Sequence, residues 1–265
     1  MHLIDSHAHI NAEEFDDDRI QVIERTFQEG IEALLCPAEL TEGKNLEIAL
    51  DLIDMYPNII AAAGVHPHNA RNFNSDIAAT LQELTHKKKI HAVGEIGLDF
   101  HYNLSSRKDQ IQAFRAQLNF AQELDPPVVV HSRNAGKEIA AAIKEANYTR
   151  GGVLHCFTED WPFAKSMMDH NFWVSFSGIL TYPNADPLRE VARKMPLERI
   201  LIETDSPYLV PVPHRGKIKR NEPLYVKEIA QTLAQIKQMQ LEEIATITSQ
   251  NFSSLFLFEI SKLRC

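Results

Sequence analysis

The sequence predicts a (β/α)₈ barrel, in which eight parallel strands form a closed sheet inside a ring of helices. Short apolar segments alternate with segments of helical spacing along the whole 265-residue chain. Most of the apolar segments are unbroken, as expected for parallel strands that are buried on both faces. The chain length also matches the roughly 250 residues typical of such a barrel. The alternative is an open doubly wound sheet, but no Gly-x-Gly-x-x-Gly motif follows a predicted strand.

The predicted strands are short runs rich in Val, Ile, Leu and Ala. They cover residues 3–9, 31–36, 59–65, 91–96, 127–131, 151–155, 172–176 and 199–205. We expect Pro37 to end the second strand, because proline cannot donate a hydrogen bond to a neighbouring strand. We expect the fourth strand to end at Ile96 and to be followed by a loop with Asp99, His101 and Tyr102.

The predicted helices follow the strands and repeat apolar residues three and four positions apart. They cover residues 18–27, 41–56, 76–88, 107–124, 134–146, 161–170, 186–195, 223–239 and 241–256. In the first of them Ile20, Ile23 and Phe27 share one face, and Gly30 stands where a helix usually ends. No linker or change of composition divides the chain, so we expect residues 1–265 to form a single domain.

Composition limits the partners that the protein can have. The net charge of −9 should repel nucleic acid, so any nucleic-acid binding needs a local basic patch or metal ions. No apolar run approaches the roughly 18 residues of a membrane span, and the N-terminus does not resemble a signal peptide. The three cysteines, Cys36, Cys156 and Cys265, are scattered and odd in number. We therefore expect a cytoplasmic protein with no structural disulfides and no membrane partner.

Metal-capable side chains stand at the carboxyl ends of most of the predicted strands, where barrel enzymes carry their chemistry. His7 and His9 lie two positions apart and can point to the same side of the first strand. By itself, such a pair fits two hydrogen-bonded histidines as well as two metal ligands. The ends of later strands add His66, Glu95, His131, His155 and Asp205. Because the same residue types recur at the same end of six strands, the sequence predicts a metal site there.

The number of donors indicates two metal ions. Four histidines and two carboxylates exceed what one tetrahedral site needs, and they suit two divalent ions that share a carboxylate. Such a pair activates a water molecule for hydrolysis. The mixed nitrogen and oxygen donors favour Zn, Mn or Fe, while imidazole would hold Mg weakly, so the identity of the metal stays open.

The motifs that carry these residues resemble those of the TatD family of metal-dependent hydrolases, within the amidohydrolase superfamily. They are Asp5-Ser6-His7-Ala8-His9, Gly64-Val65-His66-Pro67-His68, Gly94-Glu95-Ile96-Gly97-Leu98-Asp99, His131-Ser132-Arg133, Leu154-His155-Cys156-Phe157, Ser175-Phe176-Ser177-Gly178, Glu203-Thr204-Asp205-Ser206-Pro207-Tyr208, Pro213-His214-Arg215-Gly216 and Arg220-Asn221-Glu222-Pro223. The resemblance spans nearly the whole chain and implies a TIM-type barrel, a two-metal site and a monomer.

The resemblance also implies roles for these residues. His7, His9 and Asp205 would hold one ion, and His131 and His155 the other. Glu95 would bridge the two ions, and Asp205 would also act as the general base. His66 and Arg133 match positions that face a substrate phosphate. The implied activity is phosphodiester hydrolysis, typically the trimming of single-stranded DNA from its 3′ end.

Other features near the predicted site remain open. The segment with Arg215, Lys217, Lys219 and Arg220 fits a phosphate contact, with Arg215 as our candidate, or an ordinary solvated loop. The aromatic residues Phe100, Tyr102, Trp161 and Tyr208 could stack on unpaired bases, although packing is favoured for any one of them. We expect Glu203 to hydrogen-bond a ligand histidine. We expect strand alternation to turn the Cys156 thiol away from the metals.

Three functions remain in competition. The sequence favours a two-metal hydrolase acting on single-stranded DNA ends. The same site could instead cleave an ester or amide, such as that of a D-aminoacyl-tRNA. A non-catalytic nucleic-acid-binding or scaffold protein with a vestigial site is the third possibility, and the full set of ligands argues against it.

Overall fold

A computed structural model describes residues 2–259, so Cys265 lies outside the described residues. Its centre is one sheet of eight strands in sequence order, each parallel to the next. The strands are β1 (Leu3–Asp5), β2 (Ile31–Glu39), β3 (Ile59–Gly64), β4 (Ala92–Asp99), β5 (Val128–Arg133), β6 (Gly152–Leu154), β7 (Phe172–Phe176) and β8 (Ile200–Ile202). The predicted (β/α)₈ barrel is confirmed.

The barrel closes where the chain beyond β8 runs beside the chain beyond β1. The Ser6 N–H donates to the Ile202 carbonyl at 3.0 Å, and the Asp205 N–H donates to the His7 carbonyl at 2.9 Å. These hydrogen bonds join segments about 200 residues apart in sequence. They bring the two histidines of the first strand end next to Asp205.

The helices lie between and after the strands, close to their predicted positions. They are α1 (Arg19–Gln28), α2 (Gly43–Met55), α3 (Ser75–His86), α4 (Arg107–Leu124), α5 (Gly136–Glu145), α6 (Trp161–Met168), α7 (Asp186–Lys194), α8 (Val226–Lys237) and α9 (Leu241–Phe256). Gly30 follows α1 with a φ of 87°, the left-handed conformation that ends many helices. None of the helices in the described range has both the length and the apolar character to span a bilayer.

Helix α9 seals the amino end of the barrel. Its residues Phe252, Leu255 and Phe256 are buried in the same apolar cluster as Ile4 and Leu35 from the strands. The Asn251 side chain on α9 donates to the carbonyls of Leu197 and Ile200, where β8 begins. The amino end of the barrel is therefore filled with apolar side chains.

The prediction that Pro37 ends the second strand is wrong, because β2 continues through it to Glu39. The Pro37 carbonyl accepts a hydrogen bond from the Asn11 side chain at 2.9 Å. The nitrogen and the carbonyl of one strand residue face the same side, which here is the side where β1 has already ended. The missing N–H of Pro37 therefore leaves no strand partner unsatisfied.

The predicted end of the fourth strand is also wrong, since β4 runs three residues further, to Asp99. Its last residues pair with β5, Gly97 opposite His131 and Asp99 opposite Arg133. Gly97 has a φ of 139°, and a Cβ atom there would lie 2.1 Å from the His131 carbonyl oxygen. Only glycine permits this close approach of the two strands, which places Asp99 inside the site rather than in a loop.

Candidate metal centre

The carboxyl ends of the strands surround a cavity of about 1090 Å³. Most of the predicted site residues line it: His9, His66, Glu95, His131, Arg133, His155 and Asp205. His7 lies directly beneath and is fully buried. Arg215 lies outside the cavity wall, with its guanidinium 4.1 Å from the centre of the Tyr182 ring. Its predicted contact with substrate stays a prediction.

Glu95 lies at the centre of the site, with its two carboxylate oxygens facing different histidines. Its Oε2 is 3.3 Å from His7 Nε2 and 3.7 Å from His9 Nε2. Its Oε1 is 2.6 Å from His155 Nε2 and 3.0 Å from His131 Nδ1. One carboxylate thus connects two pairs of imidazoles.

Asp205 and His66 complete two groups of donors around Glu95. The first group is His7, His9 and Asp205, and the second is His131, His155 and His66. The Asp205 Oδ1 lies 3.4 Å from His9 Nε2 and 3.9 Å from His7 Nε2. On the other side, His66 Nε2 lies 3.2 Å from Glu95 Oε1. His66, which the sequence predicts as a phosphate contact, therefore also stands among the donors of the second group.

These residues fit divalent metal ions. The Nε2 atoms of His7 and His9 are 3.1 Å apart, and His131 Nδ1 is 3.3 Å from His155 Nε2. Nitrogens of neutral imidazoles brought this close need a proton or a cation between them. Burial works to raise the pKa of the Glu95 carboxyl, but the histidines around it, His155 foremost, hold its pKa well below the usual value. A charged carboxylate surrounded by imidazole nitrogens is the donor set that transition metals and zinc prefer.

Buried carboxylates lie behind the histidines of the second group. Asp99 Oδ2 is 3.3 Å from His131 Nε2 and 2.9 Å from His68 Nε2. Glu203 Oε1 is 3.4 Å from His155 Nδ1, which agrees with the predicted contact to a site histidine. The sequence analysis does not predict the role of Asp99, because it ends the fourth strand at Ile96 and puts Asp99 in a loop. It therefore also does not predict the contact of His68 with Asp99. Continued alternation from Glu95 through Gly97 would have put Asp99 on the same side of the strand.

The rim of the cavity has aromatic and cationic side chains. Tyr102 and Tyr208 line the cavity and are about half exposed, whereas Phe100 is buried and Trp161 packs against the core. The Arg133 guanidinium lies 4.5 Å from the centre of the Tyr102 ring. Two of the four predicted aromatic residues thus stand where a flexible substrate could reach them.

Two arginines of the predicted basic segment, Arg215 and Arg220, have different partners. Arg220 is bound by the carboxylates of Asp18 and Glu222, at distances from 2.7 to 3.1 Å. Its charge is already paired and serves to connect two loops of the rim. Arg215 lies over Tyr182, as described above.

Cys156 lines the cavity, and the predicted direction of its thiol stays a prediction. The residue follows β6 with a φ of 42°, so strand alternation no longer applies to it. Its Sγ lies 3.2 Å from the Ser177 hydroxyl oxygen.

One wall of the cavity is acidic. On the side of the cavity formed by the segments after β1 and β2, the lining includes Glu13, Glu14, Glu39 and Glu42. The lining also includes Lys44, Arg133, His68 and Tyr102. The cavity therefore presents both anionic and cationic side chains.

A (β/α)₈ barrel with histidines and carboxylates gathered at its strand ends defines a class, the metal-dependent hydrolases. The family profile of the TatD related DNases matches residues 4–257. The chain is 40% identical over 255 residues to the metal-dependent hydrolase YabD of Bacillus subtilis, a match covering 96% of this chain and 98% of that protein. It is 33% identical over 259 residues to the 3′-5′ ssDNA/RNA exonuclease TatD of Erwinia tasmaniensis, covering 96% and 99%.

A solved structure agrees with these matches. The crystal structure of YjjV, a TatD homologue from Escherichia coli K12, superposes with a TM-score of 0.89 at 29% identity, covering 97% of this chain and 98% of that one. The chain belongs to the TatD family and is a metal-dependent hydrolase, as the motifs predicted.

Proposed function

We propose that the protein hydrolyses phosphodiester bonds at the 3′ ends of single-stranded DNA with the help of two divalent ions. The observation that carries the proposal is the orientation of the Glu95 carboxylate, whose two oxygens face different pairs of histidines. In this assignment His7, His9 and Asp205 would hold one ion, His131 and His155 would hold the other, and Glu95 would be a ligand of both. Zn, Mn and Mg are the candidate metals.

Two divalent ions in one site supply an activated water nucleophile and positive charge for the phosphoryl and leaving oxygens. The protein's own part is to hold and move protons, and Asp205 is suited to it. Burial works to raise the pKa of the Asp205 carboxyl, but His9 and His7 hold its pKa below the usual value, so it is ionised at neutral pH. Asp205 is thus available to accept the proton of the attacking water as a general base.

The cavity wall supports a nucleic-acid substrate. Arg133 and His66 reach the cavity and are assigned to the phosphates of the strand, while Tyr102 and Tyr208 can stack on unpaired bases. Arg215 is a further predicted phosphate contact, although its guanidinium rests on Tyr182. Relatives named 3′-5′ ssDNA/RNA exonuclease support the same class of substrate.

The acidic wall favours a second candidate, an ester or amide hydrolase acting on a substrate such as D-aminoacyl-tRNA. Glu39 and Glu42 line the cavity and could attract the ammonium group of an aminoacyl ester. The same water and the same general base would then attack a carbonyl carbon instead of phosphorus.

One experiment separates the two candidates. The metal-loaded protein is given 3′-labelled single-stranded oligonucleotides and, in parallel, D-aminoacyl-tRNA. We expect release of labelled mononucleotides, and Asp205→Asn prepared in the same way should release almost none. Release of amino acid without nucleotide would support the esterase candidate, and equal activity in Asp205→Asn would mean that neither reaction belongs to this site.

Location and assembly remain predictions. We place the protein in the cytoplasm, since its cysteines are few and scattered, and Cys36 and Cys156 are free thiols. The resemblance to the TatD family implies a monomer. Light scattering of the purified chain tests the monomer.

A further inference from the structure

We infer that the two ions are held unequally, and that Asp99 and Glu203 are positioning residues that make the pocket of His131 and His155 the tighter one. The inference rests on the proposed two-ion centre. It adds two residues that are not ligands, and it predicts an order of binding.

Asp99 prepares His131 for an ion. Its Oδ2 lies 3.3 Å from His131 Nε2, and an ionised carboxylate oxygen can only accept a hydrogen bond there. His131 therefore keeps a proton on Nε2 and offers the lone pair of Nδ1, the atom that faces Glu95. A carboxylate behind a histidine ligand fixes both its tautomer and the orientation of its ring.

The position of Asp99 does not depend on His131. Its Oδ1 accepts hydrogen bonds from the N–H groups of His101 and Tyr102, each at 2.9 Å, and its Oδ2 also contacts His68 Nε2. Asp99 is fully buried at the end of β4. It is thus held in place before any ion binds.

Glu203 lies behind His155 as Asp99 lies behind His131, but without a hydrogen bond to its ring. Its Oε1 accepts the Cys156 N–H at 2.6 Å and lies 3.4 Å from His155 Nδ1. His155 Nδ1 and Glu203 Oε2 are both buried without a hydrogen-bond partner, so each can gain from the other by a small adjustment. A proton on Nδ1 leaves Nε2, which faces Glu95, free for an ion.

The pocket of His7 and His9 has weaker support. His7 Nδ1 is buried and has no hydrogen-bond partner, although Glu203 also lies within 4.8 Å of a His7 nitrogen. Among the described residues, the carboxylates within ion-pair distance of His7 and His9 are Glu95 and Asp205, which face the Nε2 atoms and are themselves assigned as ligands. The orienting carboxylate that makes the closest contact is therefore Asp99, behind His131.

Zinc titration tests the inference. The protein is freed of metal and titrated with Zn²⁺ against a chromophoric chelator. We expect two binding steps whose dissociation constants differ about tenfold or more, because removal of an orienting partner usually costs about 10- to 100-fold in metal affinity. Asp205→Asn should weaken or abolish the weaker step and thereby assign it to the pocket of His7 and His9.

Asp99→Asn is the main variant. The asparagine oxygen can still accept the N–H groups of His101 and Tyr102, but its amide nitrogen cannot accept from His131. The tighter step should weaken about 10- to 100-fold while the weaker step stays within about threefold. Glu203→Gln should shift the same step by less, because Glu203 makes no hydrogen bond to the His155 ring.

A matched control separates orientation from loss of charge. Glu42→Gln removes a carboxylate that lines the same cavity but belongs to neither group of donors, and it should change either step by less than about threefold. Thermal unfolding of the metal-free variants should match that of the metal-free parent, since a merely structural role of Asp99 would lower it.

The outcomes are distinct. Two equal Zn²⁺ sites in the parent protein, or Asp99→Asn weakening the step that Asp205→Asn removes, would overturn the inference and leave the proposed function standing. Failure of the parent protein to bind Zn²⁺ stoichiometrically would instead overturn the two-ion centre itself. If Asp99→Asn does not fold, Glu203→Gln decides between the same outcomes.

Discussion

The two ends of the barrel differ in what fills them. At the carboxyl end, Glu95 and the histidines that contact it lie at the base of a water-accessible cavity. At the amino end, Phe252, Leu255 and Phe256 of α9 fill the barrel with apolar side chains. The comparison indicates that one end provides the chemistry and the other much of the cohesion of the fold.

This division is testable because each end should respond to substitution in its own way. A change at the carboxyl end should alter activity and leave the free energy of unfolding nearly unchanged. A change at the amino end should do the reverse.

The largest effect is expected for Asp205→Asn at the carboxyl end. Loss of a ligand and of the general base should lower kcat/KM by at least about 10³-fold, or about 4 kcal/mol in the barrier. The melting temperature of the metal-free protein should change by no more than a few degrees. Asp186→Asn, a well-exposed carboxylate on α7, is the control and should have full activity. An Asp205→Asn variant within tenfold of the parent would contradict the assignment.

Phe252→Ala tests the amino end. Phe252 is fully buried, and its truncation should lower the free energy of unfolding by about 3–5 kcal/mol. Urea unfolding measures this loss, and the activity per folded molecule should not change. Leu257→Ala, five residues away and 78% exposed, should cost less than about 0.5 kcal/mol. A drop in activity of folded Phe252→Ala would mean that the two ends are coupled.

A smaller effect is expected for Arg133→Ala at the cavity wall. Removal of one phosphate contact should raise KM for single-stranded oligonucleotides roughly tenfold and reduce the dependence of binding on salt. Arg215→Ala is the matched arginine outside the cavity wall, and we expect a smaller rise in KM, of about threefold, because its guanidinium lies over Tyr182. Equal effects of the two variants would show that the basic segment also contacts the strand.

The smallest effect concerns the rim, where charge rather than apolar contact stabilises the loops. Arg220 lowers the pKa of Asp18, and Arg25 and Arg220 lower the pKa of Glu222 although burial opposes them. Carboxyls with a lowered pKa stabilise the fold at pH values above their usual pKa, and that stability is lost as the pH falls through the folded-state pKa values.

Arg220→Ala should therefore cost about 1 kcal/mol at pH 7, where both carboxylates are charged. The difference between parent and variant should shrink as the pH falls from about 5 toward 3, since protonated carboxyls no longer attract the guanidinium. Denaturant unfolding at several pH values measures it. A difference independent of pH would instead assign the stability to the packing of Arg220 on Phe15.

Much of the fold was predictable because its signals are local. Two helices, α4 and α9, begin and end at their predicted residues, since apolar spacing over 18 and 16 positions defines them. The bounds of strand β7 were also predicted, from a short apolar run. The errors at Pro37 and Asp99 share one cause. Whether a strand continues depends on what its neighbours do, and a single segment does not contain that information.

By itself, the sequence determined the order of strands and helices and the family to which the chain belongs. It also placed metal-capable side chains at one end of the sheet, because parallel strands direct their carboxyl ends to the same side. Only the tertiary structure decided which oxygen of Glu95 faces which histidines, that Asp99 lies behind His131, and that the cavity has an acidic wall. These facts depend on distances between segments up to about 200 residues apart. Such distances are set by closure of the barrel and by side-chain packing, neither of which leaves a periodic signal in the sequence.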